Sequence, residues 1–328
     1  MKKIIAGILV ALFAVLAVGC SNTGATNTKT TETTVKKEAV KIKIGTLPTE
    51  DALPIYVAKQ KELFNEVGVD VDVTVFNSAQ ERDAALQAGQ IDGFMGDILA
   101  AAALEQGGVP VSIVSVLLGS QPTEGRFGIL ASPKSEIKAI EDLKGVPIAI
   151  SSNTIIEYVV DGILTGNGFV DADIKKIEIK KIPVRLEALM SGQAQAAALP
   201  DPLLTFAEAQ GARLIVDDTQ GANVSQTILL FRDEFLSENQ EAVKGMLEAI
   251  NDAVVLINVK PDSYRGLLVE KAKLPEPIAE SYQVNLYPQV QLPTKDDVER
   301  LLDWMVKKDI IKAGLTYDDI VNQEVQPN

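Results

Sequence analysis

Histidine is absent from this chain of 328 residues, and cysteine occurs once, at Cys20. Catalytic triads that depend on histidine, cysteine–histidine pairs and the usual zinc ligand sets all require side chains that the sequence lacks. A disulfide within the chain is impossible, so the fold has to rely on a buried core. Hydrophobic residues make up 46% of the chain, which is enough for two lobes over roughly 290 folded positions. We therefore expect neither a metal site nor a cofactor.

Basic residues are also in short supply. The chain has 31 lysines and arginines against 45 aspartates and glutamates, which gives a formal net charge of −14. Removal of Lys2 and Lys3 with a signal segment would leave −16. An acidic surface of this kind favours solubility and disfavours contact with nucleic acid or anionic lipid. The sequence therefore predicts that nucleic acid is not a partner.

Apolar residues form one long run, at the N-terminus. Two lysines precede an unbroken stretch of apolar and small residues from Ile4 to Val18, and a Gly-Cys pair ends at Cys20. This pattern is typical of a secretory signal peptide, and the stretch is short for a membrane-spanning helix. Its Gly-Cys end resembles a bacterial lipoprotein signal, which implies that Cys20 is lipidated and becomes the new N-terminus. The alternative is an ordinary secreted protein with a stray thiol.

A polar, low-complexity stretch follows this signal. Residues 21–37 read SNTGATNTKTTETTVKK and include seven threonines, so they offer too little apolar surface to fold. Treated as a random coil of about 20 residues, the stretch reaches on the order of 25 Å. We expect a signal peptide over residues 1–19 and a flexible tether over residues 20–39, which holds an extracytoplasmic protein to the cell membrane through its lipid anchor alone.

From Val40 onwards, short apolar strands alternate with helical segments. Such alternation predicts an α/β fold whose parallel or mixed sheets are covered by helices. The predicted strands are residues 40–46, 69–76, 91–95, 109–117, 127–131, 147–151, 177–182, 195–199 and 213–216. The predicted helices are residues 54–66, 79–88, 98–106, 154–165, 184–191 and 203–210. A further helical pattern surrounds Trp304 and Met305, which we expect to pack in the core.

A weak internal repeat links the two halves of the chain. The segment from Arg82 to Gln90, RDAALQAGQ, is matched by the segment from Arg185 to Gln193, RLEALMSGQ. Each copy predicts a helix that ends at a glycine and leads into a strand followed by an aspartate, Asp97 or Asp201. The alternative is that both copies are merely a common helix ending.

Two similar lobes follow from the repeat. We expect one lobe over residues 40–123 and 225–328 and the other over residues 124–224. Ligands of open α/β sheets bind at the carboxyl ends of the strands. Asp97 and Asp201 are therefore predicted to lie on opposite walls of one cleft between the lobes.

Several short motifs, taken in order, resemble one protein family. The opening LPTEDALPIYVAK at residues 47–59, GQIDG at 89–93, LKG at 143–145 and PDP at 200–202 are similar to landmarks of nitrate/taurine-type ABC importer binding proteins. The resemblance runs from about Val40 to Ala253, and more weakly to the end of the sequence. It implies a two-lobed, hinged fold of the periplasmic-binding-protein type (type II). It also implies a monomer without enzymatic activity that hands a small nutrient to a permease and its ATPase.

Ligand contacts are expected in the loops that follow the predicted strands. Most charged residues there are acidic, and Arg126 is the nearest cation, so an amine or a ring with N–H donors is favoured as the ligand. Asp97 and Asp201 are the expected clamp. The candidate contacts of this kind are Thr49, Glu50, Asp51, Asp97, Glu124, Arg126, Asp201 and Gln226.

A small anion such as a sulfonate is the alternative ligand. The sulfonate-binding branch of the family places its anion at the turn that matches Ser151, Ser152, Asn153 and Thr154 in this sequence. Backbone amides at a helix start can hold an anion. The same residues also fit a capping box from Thr154 to Glu157 that needs no ligand. Two further classes stay open: an enzyme on the same fold that would use carboxylates or lysines, and a sensor subunit that presents its ligand to a receptor.

Overall fold

The computed structural model describes residues 38–219 and 225–327. The predicted signal peptide, the lipidated Cys20 and nearly all of the predicted tether lie outside the described residues. Within these two ranges, no helix combines the length and the apolar character that crossing a membrane would need.

Ten strands and twelve helices are described, and strands alternate with helices over much of the range in which the sequence predicts this. The strands are β1 Val40–Thr46, β2 Val69–Val75, β3 Gly93–Gly96, β4 Val111–Leu118, β5 Phe127–Ala131, β6 Pro147–Ile150, β7 Lys175–Glu178, β8 Ala196–Pro200, β9 Arg213–Asp217 and β10 Thr227–Arg232. The helices are α1 Leu53–Gln60, α2 Leu63–Glu66, α3 Ala79–Gln87, α4 Ile98–Gln106, α5 Ile155–Gly166, α6 Ile182–Ser191, α7 Leu203–Ala209, α8 Asp233–Glu238, α9 Gln240–Val259, α10 Arg265–Lys271, α11 Lys295–Lys307 and α12 Tyr317–Ile320.

The strands form two five-stranded mixed sheets with the same plan. The first has the order β2-β1-β3-β10-β4, and the second has the order β7-β6-β8-β5-β9. In each sheet the first three strands are parallel and the last two pairings are antiparallel. The mixed α/β architecture predicted from the sequence is therefore confirmed.

The two copies of the sequence repeat occupy equivalent places in these sheets. They form α3 before β3 and α6 before β8, and both helices end at a glycine in the left-handed region. Gly89 has a φ of 67° and Gly192 a φ of 80°, which a residue with a side chain rarely adopts. The repeat thus has a structural basis, and it brings the ends of β3 and β8 into comparable positions.

Apolar packing joins the second sheet to the C-terminal helices. Helix α11 buries Val298, Leu301, Leu302 and Met305, and the Trp304 ring meets the Tyr158 ring of α5 edge-on at 5.2 Å between centroids. The prediction that this segment is a helix packed in the core is confirmed.

Several details differ from the sequence prediction. The helix predicted over residues 54–66 is divided into α1 and α2, because Glu62 between them adopts a φ of 60°. The strand predicted over residues 177–182 ends earlier, at Glu178, because α6 already begins at Ile182 with a proline in its first turn. Helices α8, α9, α10 and α12 were not predicted, and neither was strand β10. It returns the chain to the first sheet, where it pairs antiparallel with β3 and β4.

Candidate functional site

A cavity lies between the carboxyl ends of strands from both sheets. Its volume is about 50 Å³, and it is partly open to solvent. Its wall includes residues that directly follow β1, β6 and β7 or stand at the ends of β3 and β8. The apolar lining includes Leu47, Met95, Phe127, Ile155, Ile156 and Ile182, and the charged lining consists of Asp51, Arg82, Asp97, Lys180 and Arg185. This is the position at which open α/β sheets bind ligands.

Direct contacts join the two walls of the cavity. The Gln80 side-chain N–H donates to the Ser151 hydroxyl at 3.1 Å, and the Lys181 ammonium pairs with the Glu81 carboxylate at 2.7 Å. The structure therefore holds the two sheets in a closed arrangement.

Two fully buried arginines stand at matching positions of the repeat. Arg82 in α3 donates from Nη1 to the Met95 carbonyl at 2.9 Å, and Arg185 in α6 donates from Nε to the Ala198 carbonyl at 2.8 Å. In both cases the acceptor lies 13 residues further along the chain. Each arginine thus ties a repeat helix to the strand that follows it, and each reaches the cavity wall from its own lobe.

The two arginines differ in how completely they are paired. The Nε and Nη2 atoms of Arg82 both donate to the Asp83 carboxylate, at 3.0 and 2.8 Å. Arg185 donates from Nη1 to the Ile179 carbonyl at 2.8 Å, but its Nη2 has no hydrogen-bond partner among the described residues. Burial lowers the pKa of Arg185 to about 10, so it keeps its positive charge at neutral pH. A buried donor without a partner is costly, and a ligand atom would satisfy it.

Carboxylates occupy the opposite wall. Asp97 is buried and caps α4, where its Oδ1 accepts from the Ala100 backbone N–H at 2.8 Å. Burial raises the pKa of Asp97, while Arg82, the Ala100 amide and the Ile155 amide of the other lobe oppose that rise. Asp51 accepts from the Thr49 hydroxyl at 2.5 Å, and burial raises its pKa as well.

The turn before α5 is arranged differently from a capping box. Thr154 precedes the helix, but its hydroxyl donates back to the Ser151 carbonyl at 2.7 Å and accepts nothing from the helix. Glu157 accepts from the Asn153 backbone N–H at 2.8 Å, one residue before the position that a capping box would use, so neither half of the predicted motif forms. Ser152 donates to Glu178 from both its amide and its hydroxyl. The amides at the start of α5 therefore receive no cap from Thr154.

Asp201 lies outside this cavity. Its carboxylate accepts from Arg126 Nε at 2.9 Å and from the Thr205 amide and hydroxyl at 2.8 and 2.6 Å. Counted from the two arginines, the residue that matches Asp97 is Pro200, which does line the cavity. Asp97 and Asp201 consequently do not face each other across this space, because Asp201 stands one position further on and is held by Arg126.

Glu50 belongs to a separate buried cluster. Its carboxylate accepts from the Tyr282 hydroxyl at 2.7 Å and from the Asn285 side-chain N–H at 2.6 Å. Burial, and secondly the negative charge of Asp201, raise the pKa of Glu50 from its usual 4.5 to about 8. The carboxyl group is therefore protonated at neutral pH in the folded protein.

The remaining candidates also have partners elsewhere. Glu124 accepts from the amide and the hydroxyl of Ser120, both at 2.8 Å, and Gln226 donates to Asp297 at 2.9 Å. Of the residues predicted from the sequence, the structure brings together at the cavity Thr49, Asp51, Asp97, Ser151 and Thr154. It places outside that cavity Glu50, Glu124, Arg126, Ser152, Asn153, Asp201 and Gln226.

Comparison with known proteins identifies the family of this chain. A family model described as NMT1/THI5 like matches residues 49–263, more than half of the chain. The protein belongs to the NMT1/THI5-like family. A relative named as a putative ABC transporter periplasmic binding protein of Brachyspira hyodysenteriae is 23% identical over 275 residues, which cover 79% of this chain and 75% of the relative.

Solved structures show that this NMT1/THI5-like chain has the two-lobed periplasmic-binding-protein fold. The alkanesulfonate-binding protein SsuA from Xanthomonas axonopodis pv. citri superposes with a TM-score of 0.74 at 19% identity, covering 86% of this chain and 98% of its own. The nitrate-binding protein NrtA from Synechocystis PCC 6803 superposes with a TM-score of 0.72 at 15% identity, covering 88% and 87%. The desulfurization enzyme DSZB also superposes, with a TM-score of 0.66 at 14% identity, covering 87% and 97%.

The sequence prediction missed the basic side of the site in this NMT1/THI5-like protein. Arg126 was expected to be the nearest cation, but Arg82, Lys180 and Arg185 line the cavity and Arg126 does not. A usable signal was present, because an arginine opens each copy of the repeat. Because the two arginines occupy the same position in equivalent helices, they could have been expected at equivalent positions on the two walls of the cleft.

The raised pKa of Glu50 leads to a testable pH dependence. The unfolded chain loses this proton near pH 4.5 while the folded protein keeps it to about pH 8. Between these values the folded state binds more protons, so the contribution of Glu50 to stability falls as pH rises, by at most about 1.4 kcal/mol per pH unit. Glu50→Gln should therefore gain stability relative to the wild type from pH 5 to pH 8. Urea unfolding at several pH values measures this, and parallel pH profiles for the two proteins would contradict it.

Proposed function

We propose that this protein is the extracytoplasmic solute-binding subunit of an ABC importer. In this proposal it captures a small organic nutrient in the cavity between its lobes and delivers it to a permease with its ATPase. Family membership, the naming of the Brachyspira relative and the two-lobed fold all support this function. The observation that carries it is the buried Nη2 of Arg185, a charged donor on the cavity wall that lacks a partner among the described residues.

The charges on the cavity wall suggest the class of ligand. Arg185 on one lobe suits a carboxylate or sulfonate group, since guanidinium donors match such oxygens. Asp51 and Asp97 on the other lobe suit an ammonium or N–H group. Phe127 and Ile182 suit a short apolar part between the two ends. A small zwitterion would satisfy both walls at once, and a ligand that contacts both walls favours the closed arrangement.

Three compounds of equal chain length test this ligand class. We expect an aminoalkanesulfonate to bind at least about 10-fold more tightly than the corresponding alkanesulfonate or alkylamine, because each analogue leaves one charged wall unpaired. Isothermal titration calorimetry on the mature domain measures the three affinities. If the alkylamine binds as tightly as the zwitterion, Arg185 does not contact the ligand. If the alkanesulfonate binds as tightly as the zwitterion, the ligand does not pair with Asp51 or Asp97.

Binding without catalysis fits the chemistry of this chain. The likeness to the DSZB enzyme concerns the fold, and many folds host both binding proteins and enzymes. The sequence has no histidine, and its one cysteine directly follows the predicted signal peptide. A sensor subunit would have the same cavity, so genes for a permease and an ATPase beside this one would favour the importer.

The proposal includes the way in which the protein is divided and anchored. We assign residues 40–123 and 225–328 to one lobe and residues 124–224 to the other. The strands of the first sheet fall within 40–118 and 227–232 and those of the second within 127–217, which supports this division. The anchor is a lipid on Cys20, joined to the lobes through the polar tether, and the protein acts as a monomer.

A further inference from the structure

Asp97 stands at the N-terminus of α4 and shares the cavity wall with the first residue of α5, which belongs to the other lobe. In its own lobe it caps α4 through the Ala100 amide, at 2.8 Å. From the other lobe, the amide of Ile155, the first residue of α5, favours the ionised form of the same carboxylate and thereby opposes the rise of its pKa. The side chain is buried, and it forms part of the cavity wall together with Ile155.

Helix α5 leaves a place for a negative charge at this end. It has 12 residues, so its first amides and its dipole favour an anion. Thr154 does not cap it, because the hydroxyl donates to the Ser151 carbonyl at 2.7 Å. A second, independent feature of the same cavity also suits an anion, since Arg185 is fully buried and its Nη2 lacks a partner among the described residues.

We propose that Asp97 is a specificity-determining residue: its carboxylate acts as a built-in anion at the start of α5 and excludes free oxyanions from that end of the cavity. This inference rests on the proposed function and deepens it. An inorganic oxyanion would have to approach a carboxylate that lines the same cavity as Thr154 and Ile155 at the start of α5. A ligand with a donor at this end would instead pair with the carboxylate.

Two substitutions separate the charge of Asp97 from its capping role. Serine and asparagine both cap helices well, so Asp97→Ser and Asp97→Asn should leave α4 intact, and melting curves without ligand check this. Asp97→Ser removes the charge and opens space for an anion, whereas Asp97→Asn removes the charge but still fills the space. Asp201→Asn is the matched control, because it removes a similarly buried carboxylate that lies outside the cavity.

Sulfate is the probe for anion binding in these variants, and titration calorimetry at low ionic strength measures its affinity. We expect Asp97→Ser to bind sulfate at least 10-fold more tightly than the wild type, with a smaller gain for Asp97→Asn and none for Asp201→Asn. Adding Arg185→Gln to Asp97→Ser should remove the gain. In parallel, Asp97→Ser should bind the aminoalkanesulfonate more weakly than the wild type, because its ammonium loses a partner.

The results of these titrations can contradict the role of Asp97 without contradicting the proposed function. If both Asp97 variants fold and neither binds sulfate more tightly than the wild type, the role of Asp97 as a built-in anion is overturned. The proposed function would still stand if the wild type bound the aminoalkanesulfonate and Arg185→Gln weakened that binding. If Asp201→Asn gained as much sulfate affinity as Asp97→Ser, the inference would also be overturned, because the gain would then reflect the net charge of the protein alone.

Discussion

Arg185→Gln is expected to weaken ligand binding by roughly 10- to 150-fold, because a charge-assisted hydrogen bond to a buried ligand is worth about 1.5–3 kcal/mol. Arg185 is fully buried in the cavity wall, and its Nη2 has no partner among the described residues. Glutamine can still reach the Ala198 carbonyl with its side-chain N–H, but it carries no charge for an anionic group. Calorimetry with the aminoalkanesulfonate measures the loss.

Arg82→Gln is the matched control for this prediction. Arg82 has the same burial and the same bond to a strand carbonyl, but all its nitrogens donate within the protein. Both substitutions should lower the melting temperature of the ligand-free protein, since each disturbs a buried hydrogen-bond network. Only Arg185→Gln should cause the large loss of affinity. Equal losses in the two variants, or none in Arg185→Gln, would contradict a direct contact between Arg185 and the ligand.

Cys20→Ala should move the protein from the membrane fraction to the soluble fraction. The substitution removes the thiol that would carry the lipid, and the described residues contain no helix suited to crossing a membrane. Fractionation of cells that express the full chain, followed by a salt wash, measures the change. Ser21→Ala is the control, because it alters the next residue and leaves the cysteine in place. A Cys20→Ala protein that stays with the membrane after the wash would contradict the lipid anchor.

Much of the fold could be predicted from local patterns. Helix α4 was predicted with its observed bounds, since an aspartate precedes its first turn and glycine follows it. Strand β10 could not be predicted in the same way. Its apolar residues Ile228 to Phe231 fit several local structures, and what makes them a strand is pairing with β3 and β4 from more than a hundred residues earlier.

The site was predictable only in part, for a similar reason. Asp97 was correctly expected at the end of a strand, and the structure places it on the cavity wall. Asp201 also follows a strand, because β8 ends at Pro200. Its carboxylate, however, forms an ion pair with Arg126. Whether a charged side chain is free for a ligand depends on neighbours that are distant in the sequence.

The sequence by itself determined the alternation of strands and helices, the repeat with its two glycine-ended helices, and the position of the one cysteine. These properties depend on side-chain periodicity and on backbone preferences that act over a few residues. Only the tertiary structure decided which charges meet in the cavity. Arg82 and Arg185 begin the two copies of the repeat, and these copies already differ at the next residue, where Asp83 completes the pairing of Arg82 and Leu186 offers Arg185 no acceptor. The sequence does not show that both guanidinium groups are buried beside one cavity, or that the carbonyls around Arg185 leave its Nη2 without a partner among the described residues, because only folding brings these atoms together.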